Sequence, residues 1–205
     1  MKTMTIKALA FGLGLVALGA GPWAHAEGNP TAGKKKAETC SGCHGEDGNS
    51  NAPIFPKLAG QHAAYLTKQL QEFRSQSRGE STMAAIAEPL SDEDIADLGA
   101  WFAQGTVHIE EEEGDYTAGE RLYRAGDLAK GIPACSACHG PHGEGNGEAG
   151  FPAVRGQYSA YAAKALREFK AGERRNDRNQ MMRDIAAKLS DEDIGAVSDF
   201  VSVLK

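Results

Sequence analysis

Aromatic side chains are scarce in this chain, 7% of 205 residues, and glycine is abundant at 25. If the length divides into two small units, each has too few large side chains to fill a core unaided. Past the first 26 residues no apolar run is long enough for a membrane span, which needs about 20 residues. The longest basic run is Lys34-Lys35-Lys36 in a chain of formal charge −6, which argues against nucleic acid or anionic lipid as a partner. Alternating apolar and polar residues are missing as well, so no substantial sheet is expected. Methionine is rare: after residue 26 only Met83, Met181 and Met182 remain.

The first 26 residues read as a leader to be set aside before any fold argument. Lys2 and Lys7 form a basic start, Ala8 to Ala20 an apolar run, and Ala24-His25-Ala26 a small-x-small cleavage site. This is the pattern of a cleaved secretory signal peptide and places the mature chain in the periplasm. In an exported chain four cysteines could form disulfides, but their spacing points elsewhere. They occur as Cys40-Ser41-Gly42-Cys43-His44 and Cys135-Ser136-Ala137-Cys138-His139. C-x-x-C-H is the attachment signature of c-type haem: two thiols add to the vinyl groups, and the adjoining histidine becomes an axial ligand of the iron. A thioredoxin-like site needs a βαβ context that is missing, and a zinc site has no use for a histidine after both pairs.

The two motifs lie in a duplicated unit. Phe55-Pro56-Lys57-Leu58-Ala59-Gly60-Gln61, then Tyr65, Leu70 and Phe73, recurs as Phe151-Pro152-Ala153-Val154-Arg155-Gly156-Gln157, then Tyr161, Leu166 and Phe169. Leu90-Ser91-Asp92-Glu93-Asp94-Ile95 recurs as Leu189-Ser190-Asp191-Glu192-Asp193-Ile194, and Thr31-Ala32-Gly33 as Thr117-Ala118-Gly119. The second copy holds about nine extra residues between Leu122 and Ala134. The chain therefore divides into a signal peptide (1–26), a first haem-motif unit (27–104), an acidic linker (105–116) containing Glu110 to Glu113, and a second unit (117–205).

Each unit is expected to be helical. Ser91 with Asp94, Ser190 with Asp193 and Thr117 with Glu120 carry the capping-box signature of a helix start. Ile95, Leu98, Trp101 and Phe102 lie on one face of the last helix, repeated by Ile194, Val197, Phe200 and Val201. Gly33 and Gly119, costly inside a helix, suggest a close helix crossing with an aromatic of the last helix over each glycine. Met83 lies eight residues before Ser91 and Met182 eight before Ser190. A thioether opposite an imidazole suits electron-transfer iron, so Met83 and Met182 are the expected second axial ligands, with Met181 competing next door. His62, His108 and His142 have no histidine counterparts in the other copy and are read as surface or supporting residues.

Together the paired C-x-x-C-H, F-P-x-[LV]-x-G-Q, Met and L-S-D-E-D-I motifs resemble the dihaem cytochrome c4 family over essentially the whole mature chain. The resemblance implies an all-α protein of two tandem class I cytochrome c domains, each wrapped around a covalent haem c. It implies an electron carrier, not an enzyme, that takes electrons from a respiratory donor and passes them towards a terminal oxidase. It also implies that the carbonyls of Pro56 and Pro152 accept from Nδ1 of His44 and His139. Cys40, Cys43, His44, Met83, Cys135, Cys138, His139 and Met182 are the expected cofactor-binding residues, with His44, Met83, His139 and Met182 on iron. Iron ligated on both faces has no vacancy for substrate, which opposes a dihaem peroxidase or a gas sensor. The alternative that fits the same residues is a dihaem subunit of a multi-subunit oxidoreductase, such as flavocytochrome c sulfide dehydrogenase.

Overall fold

The computed structural model describes residues 28–205; the expected signal peptide lies outside them. Among these residues the regular structure is helical, and the only β pairings are two isolated bridges, Asp127 with Ile132 and Asn146 with Phe151. The first unit comprises α1 (Pro30–Lys36), α2 (Glu38–His44), α3 (Ala63–Arg74), α4 (Ser81–Ala87) and α5 (Asp92–Ala103). The second repeats the order as α6 (Thr117–Ala125), α7 (Ser136–His139), α8 (Ser159–Ala171), α9 (Met181–Ala186) and α10 (Asp191–Val203). In each, the first helix crosses the last, and the third packs between the last helix and the fourth.

Local chemistry explains where these helices begin. Asn29 caps α1 by accepting from the backbone N–H of Thr31 and Ala32, with Pro30 at the first helical position. The capping boxes of α5 and α10 form as expected, Ser91 with Asp94 and Ser190 with Asp193. The expected box at Thr117 does not. Thr117 is already helical with Tyr116 as N-cap, the Asp115 carboxylate accepts from the Thr117 N–H at 3.0 Å, and Glu120 is engaged by Arg124 at 2.8 Å. A carboxylate two residues upstream thus does the capping that the threonine hydroxyl was expected to do.

The crossings are as close as the two glycines suggest. A Cβ at Gly33 would overlap the Asp97 carbonyl oxygen and lie 2.9 Å from Cβ of Trp101; one at Gly119 would overlap the Ala196 carbonyl oxygen and lie 2.8 Å from Cβ of Phe200. Ile95, Leu98 and Phe102 are buried, as are Ile194, Val197, Phe200 and Val201, so the last helix of each unit presents its apolar stripe inward. The second core also draws on Leu122, Tyr123, Ile132 and Leu189. The nine-residue insertion contributes Ile132, which is fully buried, while its tip exposes Leu128.

Candidate haem-binding sites

Cys40, Cys43 and His44 lie in α2, and His44 ends it; Cys135 caps α7, which carries Cys138 and ends at His139. Glycine follows each histidine, Gly45 at φ 79° and Gly140 at φ 81°, so the chain leaves the helix in a conformation that a Cβ would strain. It then returns to bring Pro56 and Pro152 beneath the imidazoles. Nδ1 of His44 lies 2.9 Å from the Pro56 carbonyl oxygen, and Nδ1 of His139 2.9 Å from that of Pro152. A carbonyl can only accept, so Nδ1 carries the proton and Nε2 keeps the lone pair. Burial lowers both histidine pKa values, outweighing the proline hydrogen bonds that act the other way; both rings are therefore neutral at pH 7. Phe55 and Phe151 stand at equivalent places beside them, with ring centroids 6.2 and 6.4 Å from the imidazoles.

None of the four half-buried cysteines is in a disulfide, so both sulfurs of each motif are available for attachment to a haem vinyl group. Before haem is attached, burial raises the Cys40 pKa and pushes Cys135 up to about 11, so protonated thiols meet the vinyl groups. This donor set fits haem c well and fits zinc poorly: two unbridged cysteines with two residues between them and a neutral imidazole with only Nε2 uncommitted, presented twice, with no group of three or more His, Cys, Asp or Glu that could close around a metal ion among the described residues. Met83 is half-buried in α4, and Met182 half-buried in α9, in the same register before α5 and α10. Met181 is half-buried too, so exposure does not separate it from its neighbour. The segment before α9 is more constrained than its counterpart. Asn179 and Gln180 both have positive φ, 52° and 59°, and Asp177 holds the far side of the turn by accepting from Arg183 Nε at 2.7 Å and from the Arg183 N–H at 3.0 Å.

The residues that join the two units carry no motif of their own in the sequence. They meet across an approximate two-fold relation in which equivalent residues make equivalent bonds. Gln61 donates from Nε2 to the Ala153 carbonyl oxygen and accepts from the Ala153 N–H, both at 2.9 Å; Gln157 does the same with Lys57, both at 3.0 Å. Next to them His62 Nε2 reaches the Glu144 carbonyl oxygen at 2.9 Å, and the Tyr158 hydroxyl donates to the Ser50 carbonyl oxygen. Farther along, Arg78 Nη2 donates to the Tyr161 hydroxyl at 3.1 Å and Arg174 Nη2 to the Tyr65 hydroxyl at 3.0 Å. His62 is therefore an interface residue and not a surface one, while His108 and His142 are exposed. Recurrence of Gln61 as Gln157, of Tyr65 as Tyr161 and of Arg78 as Arg174 was the available signal, since none of these is a core residue type.

Comparison with known proteins agrees with this geometry. The Cytochrome c family profile matches twice, over residues 30–106 and 116–205. Cytochrome c4 of Pseudomonas aeruginosa is 45% identical, over 93% of this chain and 96% of the relative. The crystal structure of reduced recombinant cytochrome c4 from Pseudomonas stutzeri superimposes with a TM-score of 0.84 at 43% identity, covering 87% of this chain and all of that one. A thiosulfate dehydrogenase electron acceptor of Stutzerimonas stutzeri is 40% identical over 80% of this chain and 78% of its own length. The chain carries two covalently attached haem c groups, is an electron-transfer protein and not an enzyme, and belongs to the cytochrome c4 family.

Proposed function

We propose that this chain is a periplasmic carrier that delivers electrons to a terminal oxidase, with its signal peptide removed after Ala26. In this reading Cys40 and Cys43 tether the first haem and His44 and Met83 ligate its iron; Cys135 and Cys138 tether the second, with His139 and Met182 on iron. The domain limits are 27–104 and 117–205, with the acidic stretch between them as linker. The observation that carries the reading is the twofold presentation of a neutral imidazole, locked by a proline carbonyl at 2.9 Å, beside two cysteines that form no disulfide.

Each haem c supplies a one-electron couple when bound. The protein's part is to hold it: the cysteine sulfurs would anchor the macrocycle, the carbonyls of Pro56 and Pro152 fix the imidazole tautomer and orientation, and the Met83 and Met182 thioethers would supply the second ligand to each iron. With His44 and Met83, and His139 and Met182, as the iron ligands, neither haem would keep a place for a substrate, and these residues would serve electron movement alone. No helix among the described residues is long and apolar enough to cross a membrane.

The test is the mass of the exported protein under denaturing conditions, with haem staining. A chain beginning at Glu27 plus two haem masses is expected; haem that washes out, or zinc, would overturn the assignment. Met83→Ala should remove about half of the sulfur-to-iron charge-transfer band, Met182→Ala the other half, and Met181→Ala none. Loss on Met181→Ala instead would move the second ligand by one residue. The likeness to a thiosulfate dehydrogenase electron acceptor supports a second reading, in which electrons arrive from a thiosulfate-oxidising enzyme; rapid reduction by such an enzyme together with slow oxidation by oxidase-containing membranes would favour it.

A further inference from the structure

Two of the bonds between the units fall on the very peptide groups that hold the histidines. The carbonyl of the 56–57 peptide accepts from His44 Nδ1, and the N–H of the same peptide donates to Gln157 Oε1 from the other unit at 3.0 Å. The 152–153 peptide mirrors it: its carbonyl accepts from His139 Nδ1, and its N–H donates to Gln61 Oε1 at 2.9 Å. The orientation of each glutamine amide is fixed by its partners. Gln157 Oε1 faces two N–H groups, those of Lys57 and Tyr158, and Gln61 Oε1 those of Ala153 and His62, while each Nε2 faces a carbonyl.

An amide whose N–H is hydrogen-bonded shifts electron density to its oxygen and becomes a stronger acceptor. A stronger acceptor draws the imidazole proton outward, makes Nε2 a better donor to iron, and favours the ferric state. We propose that Gln157 and Gln61 are positioning residues that act across the interface, each lowering the reduction potential of the haem held in the opposite unit through the peptide beneath its histidine. The proposal rests on His44 and His139 being the iron ligands. It ties each haem to a side chain from the other half of the molecule.

The test is a redox titration of the full-length holoprotein with the two haems resolved by their NMR methyl resonances. Gln157→Met, close in shape but unable to accept from Lys57, should raise the first haem's potential by about a threefold change in its oxidation equilibrium, roughly 28 mV at ~59 mV per factor of ten. The second haem should stay unmoved. Gln61→Met should do the reverse. Gln157→Glu, which keeps an acceptor for the Lys57 N–H, should not raise the first potential. A residue that merely braces its own unit would move its own haem, so an uncrossed pattern, an equal shift of both haems, or no shift overturns the proposal. Amide exchange on the unmutated protein adds a check that does not depend on the variants folding: the Lys57 and Ala153 N–H groups should be protected, and exchange at solvent rates would refute the bonds. An error in the ligand assignment shows separately, as a charge-transfer band indifferent to Met83→Ala and Met182→Ala.

Discussion

Replacing Gly33 by alanine separates two effects that usually travel together. In an exposed helix the change stabilises by about 1 kcal/mol, because alanine is the better helix former. At Gly33 the added Cβ would lie 2.6 Å from the Asp97 carbonyl carbon and 2.9 Å from Cβ of Trp101. Carbon atoms pack at ~3.5–4.0 Å, so α1 and α5 must part by roughly 1 Å. Overpacking of this kind costs about 1–3 kcal/mol. The parting also strains the bonds that join the helices at Asp97, from the Asn29 N–H at 2.6 Å and from Lys36 Nζ at 2.7 Å, and hydrogen bonds to a charged group are worth about 1.5–3 kcal/mol each. With one such bond weakened, the balance after the propensity gain is a loss of about 2–4 kcal/mol, a large part of a small domain's stability.

Gly195 in α10 is the control: a Cβ there meets nothing within 4 Å, and α5 carries alanine at the corresponding Ala96. Gly195→Ala should therefore stabilise by about 0.5–1 kcal/mol. Urea denaturation of the holoprotein, followed by circular dichroism and by the Soret band, should show the two substitutions moving midpoints in opposite directions. Gly33→Ala as stable as the parent would show that the crossing yields at little cost, and the account of that glycine would fail.

Gln76 ends α3 at φ 59°, where the second unit has Gly172 at φ 69°; Gln76→Gly should raise the first unit's stability by about 0.5–1 kcal/mol in the same denaturation assay, since a left-handed residue with a Cβ is strained. The Lys36 contact, and then the Asn29 N–H, hold the Asp97 pKa below its ordinary value. A depressed carboxyl pKa adds stability that is present above the unfolded value of ~3.9 and is lost as pH falls through the folded one, so acid titration of unfolding should show a loss below about pH 4 that Asp97→Asn flattens. Residues 27–104 carry net charge −4 and residues 117–205 net +1. Five charges at ~15 Å should leave the first haem lower by roughly 35 mV at ~0.01 M salt and roughly 10 mV at ~0.15 M, and a titration that places it higher would show that burial or hydrogen bonding outweighs surface charge.

What the sequence made legible follows from what is encoded locally. The capping boxes at Ser91 and Ser190 and the apolar faces of α5 and α10 each lie within a dozen residues, and each appears in the fold as read. Gly33 and Gly119 were legible because a glycine in mid-helix is costly enough to need a reason. Thr117 misled because a hydroxyl followed three residues later by an acid looks the same whether it stands before a helix or one residue inside it; only the competing Asp115 decides. The interface leaves only the recurrence of its residues as a trace in the sequence, for a different reason. Gln61 bonds to Ala153 and Arg174 to Tyr65, partners 92 and 109 residues away, and nothing in the local pattern distinguishes a glutamine that ends a loop from one that bridges two units.

Duplication makes that interface economical, and it also gives it direction. In an approximate two-fold arrangement a bond between residues that recur in both units is made again in reverse, so one motif, F-P-x-[LV]-x-G-Q, supplies the proline carbonyl under its own histidine and the glutamine under its neighbour's. The same logic places Tyr65 and Arg78 opposite Arg174 and Tyr161. The symmetry is broken where side chains differ: Lys57, buried and donating from Nζ to the His108 carbonyl oxygen at 2.6 Å, stands where the second unit has Ala153. That ammonium, which also meets Glu110 at 3.4 Å and the face of Tyr158, has no counterpart in the second unit. The two haems are thus supported by the same bond geometry in unequal electrostatic surroundings, which is the condition under which one chain can hold two electrons at different potentials.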